Sequence, residues 1–420
     1  MSAGVGAPCP QCGATIPASG PYPAWCDTCG WNLAGPPEEP SRQSKLDVVD
    51  RRLASRLGAG LAAEFSADTD LRPRLTRAKA AAYALAVLTL ALALFFGLLG
   101  VVLLGLGVTR PNIAFVVLGA LFLGVGVLMR PRLGRAPQGV PLSRDDAPAL
   151  HGLVDDVSAA LGTRAAGVVL VDAQWNASWS VTGLRRVRVL TLGLPLFRVL
   201  GPQERVALVA HELAHGRNGD ARRGLLVGSA WRALAELYAI LAPDPYAEGV
   251  FDGIFNLVFW LVSRPVYGVL LVHGWLTAHD SHRAEYLADA LAARVAGTEG
   301  ASRLLEAILL EGVLHTHVVR LAQYGDPSGL IDTLADDVRA VPERERLRRR
   351  RVAQLERSSL DAFHPPVAKR MAVLETRAEL PAAVTLSAED AAAIDRELAP
   401  LHAGVERHIV DAYRDLLYAR

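Results

Sequence analysis

Residues 80–108 carry no charged side chain. As a helix this run is about 43 Å long, more than the ~30 Å hydrocarbon core of a bilayer even with tilt. A second uncharged run, 113–129, follows a short turn holding Arg110 and Pro111. It lies near the lower length limit for a span. Two such runs in tandem predict a transmembrane helical hairpin. A buried core hairpin is the alternative, but helices apolar all round are uncommon in a soluble core. Hydrophobic residues make up 51% of the chain and mean hydropathy is +0.24, as expected of a chain partly in lipid.

Arg72, Arg74, Arg77 and Lys79 precede the first run, and Arg130, Arg132 and Arg135 follow the second; the turn has Arg110 alone. The bias predicts a multi-pass protein of the cell (inner or plasma) membrane with both large flanking regions cytoplasmic. The N-terminus lacks a basic segment followed by an apolar one, so no secretory signal peptide is expected. With 44 basic against 43 acidic residues, nucleic-acid binding is not expected.

The four cysteines form two knuckles, Cys9-Pro-Gln-Cys12 and Cys26-Asp-Thr-Cys29, each followed by a glycine, Gly13 and Gly30. Their confinement to one end points to a reducing compartment and a local metal site. The spacing predicts a structural zinc in a ribbon-like module over 1–34, too small to fold without a staple. A redox pair is the rival, and the second knuckle has no place in it. Trp25, Trp31 and Tyr22 are expected to form the module's core, with a contact surface as the alternative. Its role is binding or regulation, with an unknown partner.

The rest divides into a linker and amphipathic helix (35–77), the hairpin (78–135), a metallopeptidase-like domain (140–380) and a C-terminal helical extension (381–420). In the linker, 35–40 is a Pro-rich spacer. Leu46, Val49, Leu53 and Leu57 then predict a juxtamembrane connector helix, or a partner-binding coil. Beyond 140 the pattern is α+β and mostly helical. A helix is expected at 151–161 and strands at 168–171 and 187–192, with an edge strand at 176–181. Gly201-Pro202 opens a strong helix, with Glu204 at its positive end. Residues 225–241, with Arg232 and Glu236, predict a buried or amphipathic helix. The apolar stretch 250–278 is expected to be interrupted at Arg264-Pro265. Together 225–278 cross the membrane either zero or two times. The arginine run 348–351 predicts a solvated helix face, with contact to anionic headgroups as the alternative.

Inside the strong helix lies His211-Glu212-Leu213-Ala214-His215. Four-residue spacing stacks both imidazoles on one face, about 6 Å apart along the axis, within reach of one zinc ion. Glu212 projects beside that ion as a general base. The flanking residues are small or apolar, so this helix is buried, and buried polar groups need partners. Some seventy residues later, Glu285 and Asp289 again stand four apart on a helical pattern. Glu285 can complete a His₂Glu catalytic site with one open position. Asp289 is placed to accept the other ring N–H of a ligand histidine. A surface Glu285 paired with Arg283 is the bland alternative.

These motifs resemble the integral-membrane zinc metallopeptidases that include HtpX and the type I CAAX prenyl proteases. The resemblance spans roughly 142–374 and the preceding hairpin. It rests on Asn176-Ala177, on His211-Glu-Leu-Ala-His215 with Asp220, on Arg283-Ala-Glu285-Tyr-Leu-Ala-Asp289, and on His364-Pro365-Pro366 followed by Arg370. Ser178-Trp179 depart from the aromatic and small residues common in that family. The resemblance implies a gluzincin-type fold and two zinc ions, one catalytic and one structural. It implies peptide-bond hydrolysis with Glu212 as base, and His364 and Arg370 lining the cleft to stabilise the transition state. Residues 176–179 (Asn176, Ala177, Ser178, Trp179) would hold substrate by strand addition, and Asp220 would stand beside the metal ligands. Implied substrates are proteins or peptides, misfolded membrane proteins among them. Alternatives are a non-catalytic zinc-binding membrane scaffold, an adaptor working through the ribbon, and a prenyl-peptide processor.

Overall fold

The computed structural model describes residues 6–34, 60–61, 63–65, 76–131, 137–183, 185–217, 220–242, 249–355 and 364–418. The connector pattern at Leu46, Val49, Leu53 and Leu57, and Arg72, Arg74, Arg132 and Arg135, lie outside these residues. So does the spacer 35–40.

Two helices, α1 (Arg77–Thr109) and α2 (Ile113–Leu128), form the hairpin. Thr76 and Asn112 cap them, each side chain accepting a backbone N–H of the first turn. Their backbones touch through glycines. A Cβ on Gly100 would lie 2.4 Å from the Leu123 nitrogen, and one on Gly126 2.5 Å from the Gly97 nitrogen. Small residues at such crossings let helices approach without a hydrophobic driving force. Outward positions such as Leu88, Leu94, Phe95, Leu98 and Leu121 are exposed.

The sheet follows: β3 (Val140–Leu142), β4 (Val168–Asp172), β5 (Ala177–Thr182) and β6 (Val187–Gly193), with spatial order β3-β4-β6-β5. The β-branched runs of β4 and β6 pair in parallel at its centre, and β5 lies antiparallel on β6. Among the described residues β5 has no strand on its other side. Around the sheet pack α3 (Pro148–Leu161), α4 (Leu194–Val199) and α5 (Pro202–Arg217), which has ten consecutive buried residues, Arg205 to Ala214. The fold is α+β, mostly helical, with one large core.

Helix α6 covers Asp220–Leu241, and α7 extends over Val250–Ile308. Arg264-Pro265 does not interrupt it, contrary to the sequence expectation. Proline frees only the Leu261 carbonyl. Packing of Val266, Val269 and Leu270 against Ala93, Met129 and Leu234 holds the helix together on the C-terminal side. The Arg264 guanidinium lies over the Trp260 and Tyr267 rings. The real departure is at Gly297, whose φ of 82° kinks the helix where Leu380 and Ala382 approach.

Helices α8 (Glu311–Tyr324), α9 (Leu330–Ala340), α10 (Glu343–Leu355), α11 (Val367–Glu375), α12 (Ala388–Leu398) and α13 (His402–Tyr418) complete the domain. Helices α12 and α13 pack into the main core. Ile394, Leu398, Ile409 and Val410 are buried in it. Glu397 accepts the N–H groups of Ala149 and Leu150 at the start of α3, and Arg205 donates to Asp395 at 2.7 Å.

The cysteine module holds a two-stranded ladder, β1 (Ala7–Pro8) and β2 (Thr15–Ile16). Its own core is Cys9, Ile16 and Cys26, with Trp31 against them. Trp25 is not in that core, and Tyr22 packs against the main domain. Trp25 sits under two arginines of α10, Arg344 and Arg351. The arginine run is thus not a solvated face: Arg348 and Arg349 share Glu345, and Arg350 pairs with Glu306.

Candidate metal centres

Helix α5 presents His211 and His215 one turn apart, their ring centroids separated by 5.0 Å. Helix α7 crosses α5 and brings in the Glu285 carboxylate. Its Oε2 is 3.5 Å from His211 Nε2, and its Oε1 is 3.4 Å from His215 Nε2. Donors held about 2.0–2.1 Å from one tetrahedral zinc stand about 3.3 Å apart, so these three already have the spacing of a common ion. Glu285 Oε2 is buried, with His364 Nδ1 at 2.9 Å and Arg370 Nη1 at 3.4 Å. A buried carboxylate facing two imidazole nitrogens needs such partners, and a cation between the three donors would be a further one. The residues fit a metal. Glu212, also buried, follows the first ligand on α5.

Behind the ligands is a charged layer. Asp289, one turn beyond Glu285, lies 3.1 Å from His211 Nδ1. Donation of the Nδ1–H to that carboxylate leaves Nε2 free to coordinate. Arg370, from α11, grips Asp289 with Nε at 2.8 Å and Nη2 at 2.6 Å. Its Nη1 is 3.4 Å from Glu285 Oε2. Burial opposes the ionisation of Asp289, but the Arg370 charge and its hydrogen bonds outweigh that and hold the carboxyl at about 2. Glu285 follows the same balance: burial is outweighed by His211, His364 and Arg370, and its carboxyl lies well below the usual range. Burial works against a charged His211, yet the hydrogen bonds it donates to Asp289 and Glu285 push it up to about 10. Arg370 is buried beneath the ligands, so it positions Asp289 instead of lining an open cleft. His364 does line the opening: it is 60% exposed, with Nδ1 2.9 Å from Glu285 Oε2.

The Asn176 carbonyl accepts the Gly193 N–H at 2.8 Å, directly before β5. Ala177 is buried, Ser178 is exposed, and the Trp179 ring packs on Gly216, directly after His215. The open strand edge therefore runs beside the ligand helix. Asp220 begins α6, and its side chain lies outside the described residues. One contributor has no sequence signal: Glu64 accepts from Arg283 Nε and Nη2 at 3.2 Å, and Phe65 lies 5.7 Å from the Tyr286 ring. This replaces the simple pairing of Arg283 with Glu285, and a separation of 219 residues hides it from any local pattern.

A sequence profile of Peptidase family M48 matches residues 145–378, more than half of the chain. The chain belongs to peptidase family M48. The helices that carry His211, His215 and Glu285 fall inside the matched region, as does Arg370. Among curated proteins, the M48 chain is similar to Protease HtpX homolog of Syntrophobacter fumaroxidans, with 27% identity over 183 residues, 40% of this chain and 62% of that protein. It is also similar to Protease HtpX homolog 1 of Sulfurisphaera tokodaii, with 28% identity over 140 residues, 32% of this chain and 44% of that protein. The chain thus matches less than two thirds of either relative. No solved structure matches it.

The second centre lies outside the M48 match. Cys9 and Cys29 Sγ are 3.6 Å apart, as are Cys12 and Cys26. Donors about 2.3 Å from one tetrahedral zinc are about 3.8 Å apart, so this set also fits. All four cysteines are free of disulfides.

Proposed function

We propose that this M48 chain is a membrane-bound, zinc-dependent endopeptidase with a ribbon (1–34), a linker (35–77), a membrane hairpin (78–135) and a peptidase domain beyond. The observation that carries the reading is the convergence of His211, His215 and Glu285, with each imidazole Nε2 3.4–3.5 Å from one oxygen of the buried carboxylate. His211, His215 and Glu285 would hold the catalytic ion, and the four cysteines a structural one. Zinc in the first site supplies Lewis acidity toward water and a peptide carbonyl.

The chain's own groups supply the rest. The Glu212 carboxylate takes a proton from the attacking water and returns it to the leaving amine. Asp289, fixed by Arg370, holds His211 in the tautomer that leaves Nε2 free. His364 stands at the opening, where its ring N–H can meet charge developing on the substrate oxygen. The bare edge of β5 binds an extended substrate by main-chain pairing. The substrates are proteins or peptides. By analogy with relatives named HtpX homologues, misfolded membrane proteins are among them.

Exposed apolar side chains over α1, α2 and the first half of α7 support a membrane location. Helix α6 packs with α1 through Ala86, Val227 and Ala230, and α7 joins them where Val266 and Val269 pack against Ala93, Ala233 and Leu234. That shared bundle favours two crossings within 225–278. Lys79, at the basic end of α1, pairs with Asp280, five residues before Glu285. The site therefore sits at the basic end of the bundle, which supports a cytoplasmic active site.

The test is the protein purified in mild detergent. Wild type should carry two zinc ions and cleave an unfolded protein. Glu212→Gln should keep both ions while activity falls about 10²–10⁴-fold. Equal activity in the two would remove the catalytic reading and leave a zinc-binding scaffold.

A further inference from the structure

Three arginines of α10 hold the cysteine module by its main chain. Arg344 donates to the Trp25 carbonyl, Arg351 to the Asp27 carbonyl at 2.7 Å, and Arg348 to the Leu33 carbonyl at 2.9 Å. The Trp25 ring lies between two guanidinium groups, 4.8 Å from that of Arg344 and 5.2 Å from that of Arg351. Trp25 is 1% exposed, yet it is absent from the module's own core of Cys9, Ile16 and Cys26. Its burial is therefore supplied by α10.

What the arginines read is shape. Trp25 and Asp27 flank Cys26 at the start of the second knuckle, and Leu33 follows its end. That knuckle is closed by Gly30 N–H to the Cys26 carbonyl and Cys26 N–H to the Trp31 carbonyl. Gly30 adopts φ 74° to permit the turn. Two of the three residues in the module's own core are cysteines, so its fold depends on what the thiolates bind. Without a metal the three carbonyls lose their common arrangement, and Trp25 its fixed direction.

The seat is not isolated. Arg349 donates to the Leu309 carbonyl at 3.2 Å, just past the end of α7, and Arg350 pairs with Glu306 of α7. Helix α10 also packs on α11, which carries Arg370.

We propose that the cysteine module is an intramolecular latch whose partner is the arginine face of α10, and that it closes only while Cys9, Cys12, Cys26 and Cys29 hold a zinc ion. The module then has this chain, and no separate protein, as its docking surface. Metal loss or thiol oxidation becomes a signal delivered one helix away from Arg370. The proposal does not depend on the peptidase reading, and its readout is not activity.

The experiment uses the full chain in mild detergent, with zinc content and hydrogen exchange by mass spectrometry. Cys26→Ser with Cys29→Ser should lose one zinc ion and raise amide exchange in 343–355 at least tenfold, with a smaller rise in 367–375. Arg344→Ala with Arg351→Ala should keep both zinc ions and raise exchange across 25–33. Unchanged exchange in 343–355 after loss of the ribbon ion would overturn the latch. Loss of the second ion from the arginine variant would overturn it as well, because the module would then not fold ahead of its seat.

Discussion

The two metal centres assemble their donors in opposite ways. His211, His215 and Glu285 project from two long helices packed in one core, and the ligand layer is backed by Asp289 and Arg370. Cys9, Cys12, Cys26 and Cys29 stand on tight turns in a module whose own core is Cys9, Cys26 and Ile16. In the first, the packed core positions the donors whether or not an ion is bound. In the second, on the proposed reading, an ion would supply the fold. A catalytic site needs a position left open and donors that stay put; a structural site needs only closure.

Metal removal should separate the two most widely. Loss of ribbon zinc, by Cys12→Ser, removes folding free energy on the order of 10 kcal/mol and should unfold residues 6–34 altogether. His215→Ala should abolish peptide hydrolysis while far-UV circular dichroism of the helical domain stays unchanged. If His215→Ala also unfolds the domain, the contrast between a preformed and a metal-made site fails.

The next largest effect tests the layer behind the ligands. Arg370→Ala leaves Asp289 buried without its bidentate partner, and removing one member of such a pair costs about 3–5 kcal/mol. Denaturant unfolding of the peptidase domain should register that loss, with ribbon zinc retained. Arg370→Lys should restore only part of it, since an ammonium cannot make both bonds.

How much of this could be read beforehand follows from distance along the chain. The pairs His211/His215 and Glu285/Asp289 were legible because each lies within one helical turn, and a turn is a local geometry. The hairpin was legible because an uncharged run has few folds open to it. The same logic explains the failures. Arg348 and Arg351 resembled a solvated face, since nothing near them in sequence announces carbonyls 315 and 324 residues away. Arg205 and Asp395, 190 residues apart, join the C-terminal helices to the active-site helix without any motif. Pro265 looked like a stop because its local cost is visible and the packing that offsets it is not. Arg370 carried a family role at the cleft, but its depth behind Asp289 is set by how α11 packs.

Asp289→Asn should act more mildly than loss of Arg370. Loss of the carboxylate that orients a ligand histidine typically weakens metal affinity 10–100-fold. Zinc titration with a competing chelator should show that drop at one of the two ions only. Equal weakening at both would mean the centres are coupled.

Acid offers the finest comparison, since the two centres respond to protons for different reasons. Thiolates must shed protons to bind zinc, so the ribbon should release its ion as pH falls, and its fold goes with it. In the main domain the relevant group is Asp289, held at about 2 when folded, against about 3.9 for an unfolded aspartate. A carboxyl depressed in the folded state contributes stability above its unfolded value and loses it as pH falls through the folded one. The window is therefore roughly pH 4 to 2, and the contribution on the order of 2 kcal/mol. Stability of Asp289→Asn should fall less steeply there, Glu285 supplying what slope remains, while wild type and the Cys12→Ser variant share the full slope. A wild-type main domain whose stability is flat between pH 4 and 2 would show that the Arg370 pair contributes no net stability, and the layer behind the ligands would then serve orientation alone.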